Sequence, residues 1–192
     1  MANLLQKLLD SVGGKLATAA TQAVKKAVGT KTYSFPTLPQ TVEELKALPE
    51  AALTDCHAVA ALSAVALLRY EADPDVCFAM LDFLKGPEPL SNLEKQQIRD
   101  RMDGKGYKPR SFFVGATPYN NYTPSTPFTL RVAANSYSFD NDGWATLWLK
   151  SGGADSERPV KLRKKPSTGQ WFLNEIQYLS DIRLPVAEDK WA

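Results

Sequence analysis

The reactive side chains of this chain are two thiols, a single imidazole and scattered clusters of carboxylates, and their spacing restricts the chemistry open to them. His57, the only histidine, directly follows Cys56. A cysteine hydrolase needs a thiolate hydrogen-bonded to an imidazole, and neighbours on a helix point about 100° apart, so adjacency disfavours that pair. The position of Cys56 near a predicted helix start would lower its pKa, which is the argument for reactivity, while packing is the usual role of a small cysteine in an alanine-rich helix. Two cysteines and one histidine lack the paired ligand spacing of a zinc centre, so no metal and no cofactor are expected. If the helices carrying Cys56 and Cys77 form an antiparallel hairpin turning near Asp73, the thiols are offset by about 20 Å along the axes. That exceeds disulfide reach and predicts two free thiols, as in a reducing compartment.

Asp140-Asn141-Asp142-Gly143 has the closely spaced oxygens that a hard cation wants, but Trp144 begins a strand where a calcium loop would continue toward its bidentate glutamate. A hairpin turn accounts for these residues. Gly104-Lys105-Gly106 lacks the rest of a phosphate loop and reads as a helix stop. No nucleophile elbow or zinc-protease helix motif occurs, and no carboxylate is singled out as a general acid or base.

Recognition is better supplied. Arg158, Lys161, Arg163, Lys164 and Lys165 form the densest basic run. On a strand, Lys161, Arg163 and Lys165 project to one side, and together with Arg158 they are the candidate surface for an acidic protein partner. A solvated face that resists aggregation is the plainer reading of the same residues. Tyr137, Trp144 and Trp148 are the candidate lining of a small-ligand pocket, with core packing as their alternative.

These residues need a scaffold, and the hydrophobic rhythm supplies one. Thr41 is placed to cap a helix over Val42 to Leu48, with Glu43 and Glu44 in a first turn where the helix dipole favours negative charge. Thr54 or Asp55 caps a helix reaching about Tyr70 that is apolar nearly all round and should be the buried centre of the helical layer. Asp73-Pro74 opens the next helix and Gly86-Pro87 closes it, with Cys77, Met80, Leu81 and Leu84 as its core face. Ser91-Asn92-Leu93-Glu94 has the spacing of a capping box, and Gly104 supplies the stop. After Gly106 the period changes from three-to-four to two. Phe128 to Tyr137, Gly143 to Lys150, Arg158 to Lys165 and Gln170 to Tyr178 read as strands joined by short turns. The predicted fold class is α+β, with several N-terminal helices followed by a four-stranded antiparallel meander.

The overall charge is +2, which argues against a dedicated nucleic-acid binder, yet it is unevenly spread. Residues 1–35 carry five Lys against one Asp, and residues 36–104 carry twelve acidic against six basic residues, so the two segments should attract. Leu4, Leu5, Leu8, Leu9 and Val12 fall on one helical stripe, interrupted by Lys7 and Asp10, so no secretory signal is read and no apolar run is long enough to span a bilayer. The expected location is cytoplasmic, with export by a signal-independent route left open.

Helices followed by a meander resemble, in architecture, the cone-shaped domains typified by nuclear transport factor two and ketosteroid isomerase. The segments Ser151-Gly152-Gly153-Ala154-Asp155-Ser156-Glu157-Arg158-Pro159-Val160-Lys161-Leu162-Arg163-Lys164-Lys165, Trp171-Phe172-Leu173-Asn174-Glu175 and the terminal Trp191-Ala192 resemble an uncharacterised bacterial family of domains of unknown function. That resemblance implies a bacterial origin and brings no catalytic residues.

The expected organisation is a basic amphipathic helical segment over 1–31, a proline-containing linker over 32–40, one α+β domain over 41–186 with helices at 41–104 and strands at about 112–178, and a tail over 187–192. The expected function is a non-catalytic protein-interaction module, with an unknown protein partner or self-association through the N-terminal helix. The alternative is a small-ligand-binding protein or enzyme whose curved sheet and helices enclose a pocket.

Overall fold

A computed structural model describes residues 29–191; the expected amphipathic segment lies outside them up to residue 28. Five strands, β1 (Gly29–Phe35), β2 (Phe128–Ala134), β3 (Trp144–Leu149), β4 (Arg158–Lys164) and β5 (Trp171–Ile176), form one antiparallel sheet in the order β1-β2-β3-β4-β5. Helices α1 (Val42–Lys46), α2 (Cys56–Leu68), α3 (Pro74–Lys85), α4 (Asn92–Met102) and the short α5 (Tyr107–Arg110) lie in the chain between β1 and β2.

The fold is therefore α+β, but the expected four strands following the helices are corrected to five, with the first preceding them. The last residues of the expected N-terminal segment, 29–31, and the first of the expected linker, 32–35, form strand β1, paired residue for residue with β2 from Gly29↔Ala134 to Phe35↔Phe128. Gly29, Pro36 and Pro39 suggest punctuation, and the strand between them is hard to see because most of it is exposed. An edge strand solvated on its outer face shows a period of two in polar residues, here Thr30, Thr32 and Ser34 against Lys31, Tyr33 and Phe35, rather than in apolar ones. Between Tyr107 and Pro127, expected to contain strand from about residue 112, the chain forms α5, loops and a single 3₁₀ turn.

The helical layer follows its capping chemistry. Thr41, Asp55, Asp73 and Ser91 each accept a backbone N–H from the first turn they precede, and Ser91 with Glu94 completes the reciprocal box. Every residue of α2 except Leu68 is buried, because α2 lies across the inner face of the sheet and touches all five strands as well as α3. Its alanines allow that close approach, and burial of Leu62, Val65 and Leu67 contributes about 1.5–3 kcal/mol each. Ser63, the polar interruption, is satisfied by the Ala60 carbonyl and the Tyr178 hydroxyl, each at 2.7 Å. Cys77, Met80, Leu81 and Leu84 of α3 complete the core, and Gly86 ends that helix at φ 62°, a conformation glycine tolerates.

A smaller cluster fixes the C-terminal chain. Tyr107 and Tyr122 stack with ring centroids 5.6 Å apart, and the Tyr122 hydroxyl donates to the Arg183 carbonyl at 2.7 Å. Gly153 makes room for that hydroxyl, since a Cβ there would lie 1.8 Å from it.

Candidate metal centre

Asp55 is the residue from which the site is built. It precedes α2 with extended backbone, φ −120° and ψ 117°, so its carboxylate folds back over the first helical turn and Oδ1 accepts the His57 amide at 3.1 Å. Cys56 and His57, the first two helical residues, then point their side chains into the same corner. His57 Nδ1 lies 3.6 Å from Cys56 Sγ and 3.4 Å from Asp55 Oδ1. The three donor atoms lie within 4.8 Å of one another. Adjacency, expected to separate Cys56 from His57, instead joins them at a helix start, where the side chains are not held apart by a preceding turn.

Strand β1 closes the other side. Lys31 and Tyr33, two residues apart and therefore on one face, donate to Asp55 Oδ2 at 2.9 and 2.7 Å. Phe139, from the loop between β2 and β3, places its ring centroid 6.5 Å from that of His57. Cys56 and His57 are buried, whereas the Asp55 side chain is 35% exposed and gives the cluster its opening to solvent.

The electrostatics follow from this packing. Burial alone would raise the Asp55 carboxyl, but hydrogen bonds from His57, Tyr33 and Lys31 outweigh it and hold the group well below the usual carboxylate range. Burial, reinforced by the hydrogen bond to Asp55 and its charge, raises the Tyr33 phenol. Burial and the Asp55 charge also push the Cys56 thiol up to about 11, so the cysteine is a protonated, weakly nucleophilic group rather than the activated thiolate its helix-start position suggested. Cys77 is buried, free and pushed up to about 12 by desolvation.

A nucleophilic reading of Cys56 is thus disfavoured, while the donor geometry suits a cation. Zinc–ligand bonds of about 2.0–2.3 Å at tetrahedral angles set ligand atoms about 3.3–3.6 Å apart. The nitrogen–sulfur and nitrogen–oxygen separations here match those edges. The sequence hides this set because zinc sites are sought as spaced pairs, whereas here one N-cap geometry converges three consecutive residues; the readable signal was an aspartate cap directly before Cys-His.

The residues expected to recognise partners lie elsewhere. Trp144 and Trp148 share the outer face of β3, opposite Arg163 and Pro159 of β4, and Lys161 stands opposite Thr146 between them. The Arg163 guanidinium sits 5.2 Å from the Trp144 ring, and Lys161 pairs with Glu175 at 3.0 Å. Tyr137 is exposed on the loop between β2 and β3. Arg158 turns away to the Asp181 carbonyl, and Lys165 lies just past β4 in the hairpin. The sheet therefore unites Trp144, Trp148, Lys161 and Arg163 on one open face and leaves Tyr137, Arg158 and Lys165 apart from it. Among the described residues no helix is long and apolar enough to cross a membrane.

The chain belongs to the family described as a domain of unknown function, DUF6935, whose model matches residues 37–186. No curated protein and no solved structure matched, so the architectural resemblance to nuclear-transport-factor-like domains gains no support from known folds.

Proposed function

We propose that this protein is a small-ligand-binding protein whose ligand is a divalent transition metal of the zinc class, held by Asp55, Cys56 and His57. The observation that carries the reading is the convergence of Asp55, Cys56 and His57: the two distances from the His57 Nδ1, 3.6 Å to Cys56 Sγ and 3.4 Å to Asp55 Oδ1, match tetrahedral edges, and the three donor groups fall within 4.8 Å of one another. Mixed thiolate, imidazole and carboxylate donors favour zinc-class metals over magnesium or calcium, which take oxygen ligands. Three protein ligands leave a fourth position for water or an exogenous group, and the partly exposed Asp55 supplies the approach. Two buried, unpaired thiols support a reducing, cytoplasmic compartment as the working location. Isothermal titration with zinc chloride tests the reading: one equivalent binding to the intact chain, with at least tenfold loss in Cys56→Ser, supports it. Absence of binding, or equal binding by Cys56→Ser, overturns it.

A second reading, a protein-interaction module, is favoured by the alignment of Trp144, Trp148, Lys161 and Arg163 on the open sheet face. Its partner would be an acidic protein surface, with the indoles as anchors. Co-purification with wild type but not with a Trp148→Ala/Arg163→Ala variant tests it, and identical partner sets would count against it.

A further inference from the structure

A cleft of about 200 Å³ opens between the loop following α3 and the β4–β5 hairpin, far from Asp55 in sequence and built from other elements. Its apolar surface comes from Pro87, Pro166 and Phe172. Gly86 allows the loop to seat directly on Phe172, since a Cβ at this position would lie 2.3 Å from the ring. Arg163, Lys164 and Lys165 supply its charge, and Glu88 is the facing carboxylate. The cleft's other cation, Lys85, is buried and already satisfied by Glu94 at 2.9 Å and the Asn174 carbonyl at 3.1 Å.

That leaves three cations against one carboxylate. Glu88 approaches Arg163 only at 3.6 Å, with both side chains largely exposed, so it neutralises little. Lys164 sits 5.8 Å from the Trp171 ring, and among the described residues neither Lys164 nor Lys165 forms a salt bridge. A cleft with apolar lining and a surplus of lining cations is complementary to an amphipathic anion. The volume lies below the range of about 300–1,000 Å³ typical of drug-sized ligands, which limits the apolar body to one ring or a short chain.

We infer that this cleft binds a small organic carboxylate, with its apolar body against Phe172, Pro87 and Pro166 and its carboxylate at Arg163 and Lys165. The carboxylate comes either from a free acid or from the C-terminus of a peptide with an apolar last residue, since both present the same group. The site is independent of the metal reading, and neither test bears on the other.

The experiment follows backbone amide shifts in the full chain during titration with benzoate, benzamide, and a tripeptide ending in phenylalanine with a free or amidated C-terminus. Saturable shifts at Gly86 and across the β4–β5 hairpin are expected with benzoate or the free-acid peptide, and the stronger of the two identifies the source. Neutral benzamide and the amidated peptide should bind at least tenfold more weakly. An Arg163→Gln/Lys165→Gln variant should lose about tenfold in carboxylate affinity, a factor appropriate to charge-assisted contacts partly screened by solvent. Both positions are exposed, so the fold should survive, which an unchanged amide spectrum elsewhere checks. Equal binding of benzoate and benzamide overturns the inference, as does an undiminished carboxylate affinity in the double variant or the absence of saturable shifts with both acids.

Discussion

Removing the Asp55 side chain should destabilise the fold by about 2–2.5 kcal/mol, and the sum follows from its partners. Loss of the cap on α2 costs about 1 kcal/mol. The half-buried Tyr33 hydroxyl loses its acceptor, for about another 1 kcal/mol. The Lys31 pair is exposed at its amine and screened, and adds about 0–0.5 kcal/mol. Asp55→Asn keeps a competent cap and a carbonyl acceptor for Tyr33, so it should cost only about 0.5–1 kcal/mol. Urea unfolding of wild type, Asp55→Ala and Asp55→Asn, followed by tryptophan fluorescence at fixed pH, measures both values. Equal costs for the two variants, or a cost below about 1 kcal/mol for Asp55→Ala, would refute the claim that this carboxylate ties β1 to the start of α2.

Other expectations can be checked separately. Gly153→Ala should cost about 1–3 kcal/mol in urea unfolding, because its Cβ would force the Tyr122 hydroxyl away from the Arg183 carbonyl. Tyr178→Phe should cost about 1 kcal/mol, since Ser63 keeps the Ala60 carbonyl as its partner. Alkali should unfold the protein readily. Burial raises Cys56, Cys77, Tyr122 and Tyr178 above their ordinary values of 9.0 and 10.0, so the fold favours their protonated forms. Stability from these groups is complete below about pH 9 and declines as the pH rises toward 12, which a series of urea midpoints would show as a downward slope.

The helical layer was legible because its signals are local. A capping residue, a proline at the first turn or a glycine at the stop sits within a few residues of the boundary it sets, and Thr41, Asp73, Ser91 and Gly86 each act at the expected place. The meander was legible because short turn punctuation separates β2 to β5 and buried apolar positions recur every second residue in β2, β3 and the middle of β4. Strand β1 was hidden because its pairing partner is about a hundred residues away and its composition is that of a solvated edge. The donor cluster was hidden for a related reason: Asp55 reads as a helix cap from sequence, and only its extended backbone together with the burial of Cys56 and His57 beside it converts a cap into a corner. The shared face of Trp144, Trp148, Lys161 and Arg163 depends on the β3–β4 register, which alternation within each strand cannot supply.

Cobalt(II) substitutes for zinc and reports its ligands, so the absorption spectrum of the intact chain titrated with cobalt(II) tests whether Asp55, Cys56 and His57 hold a metal. A one-to-one complex is expected, with a thiolate-to-cobalt charge-transfer band and the intense visible bands of tetrahedral coordination, displaced by zinc and absent from a folded Cys56→Ser variant. A spectrum of hexaaqua cobalt throughout, or a charge-transfer band that persists in Cys56→Ser, would contradict it.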